Sequence, residues 1–362
     1  MALKEYRQHL HTIPEIGFDL FETGEYICEV LRGTRAEVSR TAGTGVLAYF
    51  DFGKEYTVAF RADMDALNIE EEASRALRSC HPGRMHACGH DSHMAMALET
   101  AMRVNEMKDA RANVLVVFQP SEETNGGGGV VVRENVLERY NVKEIYAIHV
   151  DPVLPKGMVA IRSGPMMAMA EEMTVTVRGK SVHVAKYRTG ADSIEAMSRF
   201  LCGAYAAPKA LEEGTRYLLR FGTLEAGTAR NILAETAVLK GSVRGYSGET
   251  LRILKDRMAQ AAKEADEACG TQTTIEYAPG YPPLINSDEL YRKAKRVVKG
   301  FAELEEPSLL AEDFAFYTER VPGLMMFLGL GTGNPLHSKE FLVDDDALPT
   351  GVEAFLSLLA DE

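Results

Sequence analysis

The sequence lacks the long apolar runs that anchor proteins in membranes. Nowhere in the 362 residues is there a stretch of about 18 apolar residues, the length that spans a bilayer as a helix. The start, MALKEYRQHLHTIPE, contains no apolar segment of signal-peptide length. We therefore predict a cytoplasmic protein without a membrane partner.

Cysteine is scarce and scattered. The five cysteines are odd in number and widely spaced, at positions 28, 80, 88, 202 and 269. Small secreted domains instead carry a dense, even set of cysteines that form disulfide bonds. This usage favours a reducing compartment and agrees with the cytoplasmic prediction.

Positive charge is also in short supply. The chain has 40 Lys and Arg against 53 Asp and Glu, a formal net charge of −13, and no run of five basic residues. Because affinity for nucleic acid depends mainly on clustered Lys and Arg, this balance argues against a nucleic-acid partner. The apolar fraction of 46% excludes a disordered chain, and the length predicts about two domains.

Strands and helices alternate in the first part of the chain. The apolar runs GVLAYFDF, EYTVAFRAD, NVLVVFQP and EIYAIHV indicate strands, and residues 91–107, between the second and third runs, have helical spacing. This alternation predicts an α/β domain with a mainly parallel sheet. The glycines at 126–129 are predicted to form a flexible loop before the helix VVVRENVLERY.

The pattern changes near residue 170. EEMTVTVRGK alternates apolar and polar residues as a half-exposed strand does. From there to residue 278 the predicted order is βαββαβ, the ferredoxin-like arrangement. Later segments, including predicted helices at 287–302 and 312–320 and the strand LMMFLGL, return to the first pattern. We predict a discontinuous catalytic domain, residues 1–168 and 279–362, interrupted by an inserted α+β domain, residues 169–278.

Four of the nine histidines crowd into the segment HPGRMHACGHDSH. Cys88 and His90 lie two residues apart just before a helix, and Gly89 lets the backbone turn so that both can face one ion. Zinc-like metals accept such a mixture of sulfur and nitrogen donors. A buried cysteine beside helix-capping histidines would explain this segment equally well on its own, so the interpretation depends on other segments.

More donors follow neighbouring strands. Glu122 and Glu123 come directly after NVLVVFQP, and His149 lies at the end of EIYAIHV. Alone, the two acids would indicate a solvated loop and the histidine a core residue. Because the carboxyl ends of the strands form the binding edge of an open α/β sheet, we expect all three to meet Cys88 and His90 there. Together they favour a metal site.

The donor set suits hydrolysis assisted by two metal ions. Two divalent ions about 3.5 to 4 Å apart can share a water, lower its pKa and polarise a carbonyl group. If one of Glu122 and Glu123 binds metal, the other is free to take a proton from the water and deliver it to the leaving amine. Asp63 and Asp65 would orient a ligand imidazole or restrain the base.

Several segments together resemble a known family. HTIPEIGF, RADMDAL, MHACGHDSHMAMAL, FQPSEE, AIHV, RNILAET, AEDFAFY and PLHS resemble, in order, segments of the co-catalytic metallopeptidase and amidohydrolase family that includes aminoacylases, hippurate hydrolases, N-acetyldiaminopimelate deacetylases and indole-acetyl-amino acid hydrolases. The resemblance implies two divalent ions per subunit (zinc, manganese, nickel or cobalt), a general base at Glu122 and a supporting acid at Asp63. It implies the metal ligands Cys88, His90, Glu123, His149 and His337, of which His337 is nominated by the resemblance alone.

The resemblance also assigns a role to the inserted domain, as a lid and a homodimer contact. It implies that His183 and Asn231 reach the substrate, within one subunit or across a dimer. Arg230 could bind a substrate carboxylate or form an ordinary ion pair. This segment departs from the family pattern, since HVAKY stands where His, a small residue, Ala and Pro are usual.

The predicted function is that of a metal-dependent amidohydrolase of the aminoacylase, deacetylase or carboxypeptidase kind. Its substrate would be an N-acetyl or aroyl amino acid, N-acetyldiaminopimelate or a short peptide. One alternative is a hydrolase that uses Cys88 as a nucleophile with a nearby histidine. Another is a non-catalytic descendant that binds metal or an acylated amino acid, against which the presence of Glu122 argues.

Overall fold

The computed structural model describes residues 2–72, 77–278 and 280–360. Its strands are β1 (Glu37–Thr41), β2 (Gly45–Phe50), β3 (Thr57–Asp63), β4 (Asn113–Gln119), β5 (Val142–Asp151), β6 (Val159–Ile161), β7 (Gly164–Met167), β8 (Met169–Arg178), β9 (Tyr217–Ala226), β10 (Thr236–Gly245), β11 (Gln272–Tyr277), β12 (Leu284–Asn286), β13 (Phe301–Glu303) and β14 (Gly323–Gly329). Its α-helices are α1 (Ala2–Thr12), α2 (Phe21–Leu31), α3 (His90–Glu106), α4 (Glu122–Asn125), α5 (Gly127–Arg133), α6 (Val136–Arg139), α7 (Ser193–Ala206), α8 (Gly248–Cys269), α9 (Asp288–Val297), α10 (Ala315–Thr318) and α11 (Leu348–Ala360). None of the helices in the described part of the chain combines the length and apolar character of a membrane span.

The chain divides into two compact units. The first comprises Met1–Met166, Leu284–Pro307 and Glu312–Glu362, and the second comprises Met167–Pro283 and Ser308–Ala311. No sequence pattern assigned residues 308–311 to the second unit. They are held there by the backbone N–H of Ala168, which donates to the carbonyl oxygens of Ser308 and Leu310 at 3.1 and 2.9 Å.

The first unit is built on an eight-stranded sheet of order β1-β2-β4-β3-β5-β14-β6-β13. Its central strands β4, β3, β5 and β14 run parallel to one another, whereas β1, β2 and the β14–β6 pair add antiparallel ladders. Every residue of β3 and β4 is buried, as expected for strands covered on both faces. The predicted α/β class is confirmed, with antiparallel additions on both sides of the parallel centre.

The second unit has the order β8-α7-β9-β10-α8-β11 and a four-stranded antiparallel sheet of order β11-β8-β10-β9. Alternating side chains of β8, among them Val175 and Val177, lie in a core with Phe200 of α7 and Leu254 of α8. The other face of the sheet remains more exposed. This arrangement is the predicted ferredoxin-like βαββαβ fold.

The carboxyl ends of β3, β4 and β5 lie at one edge of the first sheet because these strands are parallel. Helix α3 begins at His90, and Gly89 before it has a φ of 84°. A Cβ at this position would lie 2.4 Å from Cγ2 of Val150. The turn into α3 therefore requires glycine both for its left-handed backbone and for its contact with β5.

The glycine segment differs from its prediction. Gly127, Gly128 and Gly129 are buried and form the first turn of α5. A Cβ on Gly127 would lie 1.7 Å from the carbonyl oxygen of Pro120. The prediction of a flexible loop was wrong because these glycines permit close packing of the helix against the end of β4, which local sequence does not reveal.

Candidate metal centre

Cys88 lies at the centre of a group of donor atoms. Its Sγ is 3.3 Å from Nε2 of His149 and 3.3 Å from Nε2 of His337. Glu123 Oε1 lies 3.1 Å from His337 Nε2 and 3.9 Å from His90 Nε2. The five residues predicted to bind metal are therefore close together, although Cys88 and His337 are 249 residues apart in sequence.

The donors form two overlapping groups. One donor atom from each of Cys88, His90 and His149 lies within 4.8 Å of the others, and the same holds for Cys88, Glu123 and His337. Cys88 is common to both groups. Its sulfur is therefore available to an ion held by either group.

Different elements bring these side chains together. Cys88 and His90 flank the start of α3, Glu123 lies in the first turn of α4 after β4, and His149 belongs to β5. His337 follows β14 on a loop, where its backbone N–H donates to the carbonyl oxygen of Ala87 at 2.9 Å. The φ of His337 is 58°. Its side chain is 51% exposed, whereas that of Glu123 is 10% exposed and the other three donors are buried.

Two imidazoles have the orientation expected of metal ligands. His90 donates from Nδ1 to the carbonyl oxygen of Asp65 at 2.7 Å, and His149 donates from Nδ1 to the carbonyl oxygen of Val150 at 2.7 Å. Because a carbonyl oxygen only accepts, each Nδ1 carries a proton. In the neutral ring, which is the form that binds metal, each Nε2 then presents a lone pair to the cluster.

The buried Nε2 of His90 has no hydrogen-bond partner among the described residues. Leaving a buried acceptor unsatisfied costs free energy, and a metal ion would satisfy it. The mixture of one sulfur, three imidazole nitrogens and a carboxylate suits zinc and its neighbours in the first transition series. The residues present therefore fit the implied metal ions.

Asp65 organises the segment that carries the two glutamates. Its carboxylate accepts the backbone N–H groups of Glu122 and Glu123 at 2.9 and 3.1 Å. Its own carbonyl oxygen holds His90, as described above. One residue thus orients a candidate base and two candidate ligands.

Asp63, the last residue of β3, also lies close to His90. Its Oδ2 is 3.8 Å from His90 Nε2 and accepts a hydrogen bond from Arg61 at 2.6 Å, while its Oδ1 accepts from His93 Nδ1 at 2.6 Å. The backbone N–H of Val150 donates to Nε2 of His93 at 2.9 Å. His93 therefore joins the end of β3 to the end of β5.

Arg61 and His93 were not nominated from the sequence. His93 follows His90 by three residues on α3, a spacing that places both on one helix face, and this spacing could have identified it. Arg61 precedes Asp63 in a fully buried strand, where a charged side chain needs a partner. Its neighbours at 312 and 313 come from a distant segment, which no local pattern links to β3.

The cluster holds more negative than positive charge. Burial lowers the pKa of His90, but Asp63, Asp65 and Glu123 outweigh burial and raise this pKa to about 10. Burial, followed by Glu123 and Glu122, raises the pKa of the Cys88 thiol well above its ordinary value. A divalent cation would compensate this excess of negative charge.

The surroundings of Cys88 do not favour a nucleophilic thiolate. Reactive cysteines lie in electropositive, partly exposed positions that lower the thiol pKa. Cys88 is 7% exposed and has two carboxylates nearby. Without a metal ion, these neighbours oppose the charged form that a cysteine nucleophile requires.

The second unit brings the segments of His183 and Asn231 side by side. Residues 183 and 232 form an isolated antiparallel bridge, and the N–H of Val184 donates to the carbonyl oxygen of Asn231 at 3.0 Å. His183, Arg230 and Asn231 are all exposed. Nδ1 of His183 accepts the N–H of Ala185 at 3.2 Å, so in the neutral ring Nε2 carries the proton and can donate.

Known proteins match this chain over most of its length. The model of peptidase family M20/M25/M40 matches residues 59–361. An N-acetyldiaminopimelate deacetylase from Shouchella clausii is 31% identical over 363 residues, 98% of this chain and 96% of the relative. One of the same name from Streptococcus uberis is 32% identical over 367 residues, 97% of this chain and 96% of the relative.

Solved structures show the same similarity. A putative aminohydrolase from methicillin-resistant Staphylococcus aureus superposes with a TM-score of 0.93 at 29% identity, covering 99% of this chain and 96% of its own. A dinuclear metal-binding peptidase of family M20 from Bacillus subtilis superposes with a TM-score of 0.87 at 28% identity and the same coverage. The chain thus belongs to peptidase family M20/M25/M40, and it is a metal-dependent hydrolase that acts on amide bonds.

Proposed function

We propose that the protein hydrolyses the amide bond of an N-acyl amino acid and releases a carboxylate and a free amine. The observation that carries this proposal is the placement of Glu122 beside a cluster of five metal donors centred on Cys88. Relatives named N-acetyldiaminopimelate deacetylase support an acetylated amino acid as substrate. Aroyl amino acids and short peptides are the competing substrates.

Cys88, His90, Glu123, His149 and His337 would hold the two ions. When bound, the ions would lower the pKa of a water molecule and polarise the substrate carbonyl group. Cys88 favours the softer candidates among zinc, manganese, nickel and cobalt. Metal analysis of the protein purified without added metal identifies the native ion.

Glu122 would serve as the general base. Its carboxylate would take a proton from the attacking water and then deliver it to the leaving nitrogen. The two hydrogen bonds from the backbone of α4 to Asp65 fix the start of the helix that carries Glu122. Asp63, held by Arg61 and His93, would support His90.

His183 would donate from Nε2 to the developing oxyanion, in the tautomer that Ala185 selects. Asn231 and Arg230 would contact the substrate, with Arg230 offering a two-pronged donor to a carboxylate. We propose a homodimer formed through the second unit. Its edge strand β9 is largely exposed, with Leu224 at 52%, and an exposed edge strand offers unpaired backbone groups to a second chain.

A substrate panel tests the proposal. Metal-reconstituted protein is assayed for amine release from N-acetyl amino acids, N-benzoyl amino acids, N-acetyldiaminopimelate and dipeptides with a free amino terminus. We expect the acylated amino acids to be cleaved faster than the dipeptides. Faster cleavage of the dipeptides would contradict the proposed substrate class, and binding without cleavage of any compound would support the non-catalytic alternative.

A further inference from the structure

A buried polar network lies beside the metal centre and contributes no predicted metal ligand. It consists of Arg61, Gln119, Glu312 and Asp313, and is called the Arg61 network below. Arg61 donates from Nε to Gln119 Oε1 at 2.9 Å and from Nη2 to Asp313 Oδ1 at 2.6 Å. No member is more than 2% exposed. Burying these charges is costly unless each is paired, so the network needs a structural or functional explanation.

Glu312 lies close to Glu122. Its Oε1 lies 3.0 Å from Arg61 Nη2 and accepts the backbone N–H of Phe314 at 3.0 Å. An oxygen of Glu312 lies within 4.8 Å of an oxygen of Glu122. Glu122 also has an oxygen within 4.8 Å of donor atoms of His90 and Glu123. The base therefore lies within 4.8 Å both of candidate metal ligands and of Glu312.

This placement has an electrostatic consequence. Two ionised carboxylates less than 5 Å apart in a buried site repel each other, and Glu122 must be ionised when it acts as the base. Glu312 is fixed by a guanidinium group and a backbone N–H, so the repulsion acts mainly on the orientation of Glu122. It disfavours rotamers that direct the Glu122 carboxylate toward Glu312 and favours those that direct it toward the metal ligands.

Asp313 has a different part in the network. Its Oδ2 accepts from Gln119 Nε2 at 2.7 Å and from the backbone N–H of Gly128 at 2.8 Å. It thereby ties the end of β4 to the first turn of α5, on either side of the segment that carries Glu122. An oxygen of Asp313 also lies within 4.8 Å of an oxygen of Glu122, but both carboxylate oxygens of Asp313 are held by Arg61, Gln119 and the backbone of Gly128.

We propose that Glu312, held by Arg61, is a positioning residue that keeps the Glu122 carboxylate directed toward the metal ligands. This inference rests on the proposed role of Glu122 as the base. In this role Glu312 acts through Glu122 and not as a metal ligand or a substrate contact. Its removal should slow turnover without weakening metal or substrate binding.

The test is the substitution Glu312→Gln, which keeps the size of the side chain and removes its charge. We expect kcat to fall about 10- to 100-fold, the scale on which a misplaced catalytic group costs rate, with KM within about twofold of the original. Metal content and the visible spectrum of the cobalt-substituted protein should not change. Glu312→Asp, which keeps the charge, should retain more activity than Glu312→Gln.

A double-substitution cycle separates positioning from general structural damage. If Glu312 acts through Glu122, adding Glu312→Gln to Glu122→Gln should cause no further loss of residual activity. Additive losses, a rise in KM that accounts for the effect, loss of metal or an unchanged kcat would each overturn the proposal. If Glu312→Gln does not fold, Glu312→Asp is compared by kcat and melting temperature. The shorter side chain moves its carboxylate away from Glu122, so kcat should fall by less than in Glu312→Gln, and lower stability with unchanged kcat would overturn the proposal.

Glu144 provides a matched control. It is a partly buried carboxylate near the amino end of β5, held by Arg111 at 2.7 Å and Lys293 at 3.2 Å. Glu144→Gln should lower the melting temperature and leave kcat unchanged. If the unsubstituted protein cleaves no amide, the proposed function fails together with the positioning role. If it is active and Glu312→Gln is equally active, only the positioning role fails.

Discussion

Glu122 and Glu123 are neighbours in sequence but lie in different electrostatic environments. Burial raises the pKa of Glu122, and Glu312 and Asp313 raise it further. Burial also acts to raise the pKa of Glu123, but His337 and His90 reverse the effect and lower it. Two carboxylates whose pKa values are shifted in opposite directions suit different tasks. The one that stays ionised beside imidazoles suits metal binding, and the other suits proton transfer.

Replacing Glu122 by Gln should therefore reduce turnover without removing metal. We expect kcat to fall at least about 10²- to 10⁴-fold, the usual contribution of a general base. Metal content measured by mass spectrometry should remain near that of the original protein. As a control, Glu123→Gln should lose metal as well as activity. Full activity of Glu122→Gln would remove the assignment of the base.

The residues that support the centre were harder to predict than those that would bind metal. Cys88, His90, His149 and one of the two adjacent glutamates follow from donor chemistry and strand ends. The choice of Glu123 over Glu122, and His337, follow from family resemblance. The sequence predicts a supporting role for Asp65, but its contacts with two backbone N–H groups have no sequence signal. Those contacts depend on how α4 turns after β4. Long-range geometry of this kind leaves no local pattern.

Among the elements, α5 illustrates how packing decides a glycine requirement. Gly127→Ala would place a Cβ 1.7 Å from the Pro120 carbonyl oxygen, so α5 or the end of β4 must shift. We expect a loss of about 1 to 3 kcal/mol in the free energy of unfolding, the usual cost of overpacking. Denaturant unfolding measures it.

Gly248→Ala is the matched control for this substitution. Gly248 begins α8, and a Cβ there would meet no atom within 4 Å. The unfolding free energy should be unchanged or slightly higher, because alanine favours a helix. An equal loss of unfolding free energy in Gly127→Ala and Gly248→Ala would show that the contact with Pro120 is not the reason why position 127 requires glycine.

The carboxyl end of α1 gives a prediction about pH. Protonated His11 donates from Nδ1 to Asp91 at 2.7 Å and from Nε2 to Glu71 at 3.0 Å. Burial lowers the pKa of His11, but Asp91 and Glu71 outweigh burial and raise it from 6.5 to about 9. A raised folded-state pKa means that protonated His11 stabilises the fold fully below pH 6.5, and that this stability is lost as the pH rises toward 9.

The free energy of unfolding should thus fall by up to about 3 kcal/mol between pH 6.5 and 9 from this group. Urea unfolding at a series of pH values measures the change. In His11→Gln the decrease over this range should be smaller, and the unfolding free energy at pH 6 lower. Equal slopes for the two proteins would contradict the role of His11.

Element boundaries show where local patterns stop being informative. Residues 91–107 were predicted as a helix, and α3 covers His90–Glu106, because its apolar spacing is strong throughout. Residues 287–302 were also predicted as one helix, yet α9 ends at Val297 and Phe301–Glu303 form β13. That short strand pairs in parallel with β6. A pairing with residues so distant in sequence has no local signal.

For the whole molecule, removal of metal should abolish activity. After dialysis against a strong chelator we expect no amide hydrolysis and a lower melting temperature, because ions that bind only the folded state stabilise it. Readdition of zinc, manganese, cobalt or nickel should restore the amide hydrolysis and raise the melting temperature again. Activity that survives chelation but is lost on thiol alkylation would support the cysteine-nucleophile alternative.

The homodimer and the cytoplasmic location remain predictions. Analytical ultracentrifugation should show a dimer at micromolar concentration. Replacing exposed Leu224 of β9 by Lys should shift the equilibrium toward the monomer, because a charge on an edge strand opposes pairing. If the monomer is fully active, His183 does not act across a dimer.

Asp65 couples the positions of three side chains in the metal centre. Its carboxylate holds the start of α4, and its carbonyl oxygen holds His90. Thermal displacement of the chain just beyond β3 therefore carries the base and two candidate ligands in the same direction. The distances between these three side chains should therefore vary less than the position of each one in the molecule. A simulation or an ensemble refined against diffuse scattering would reveal this as correlated motion of three side chains about one residue.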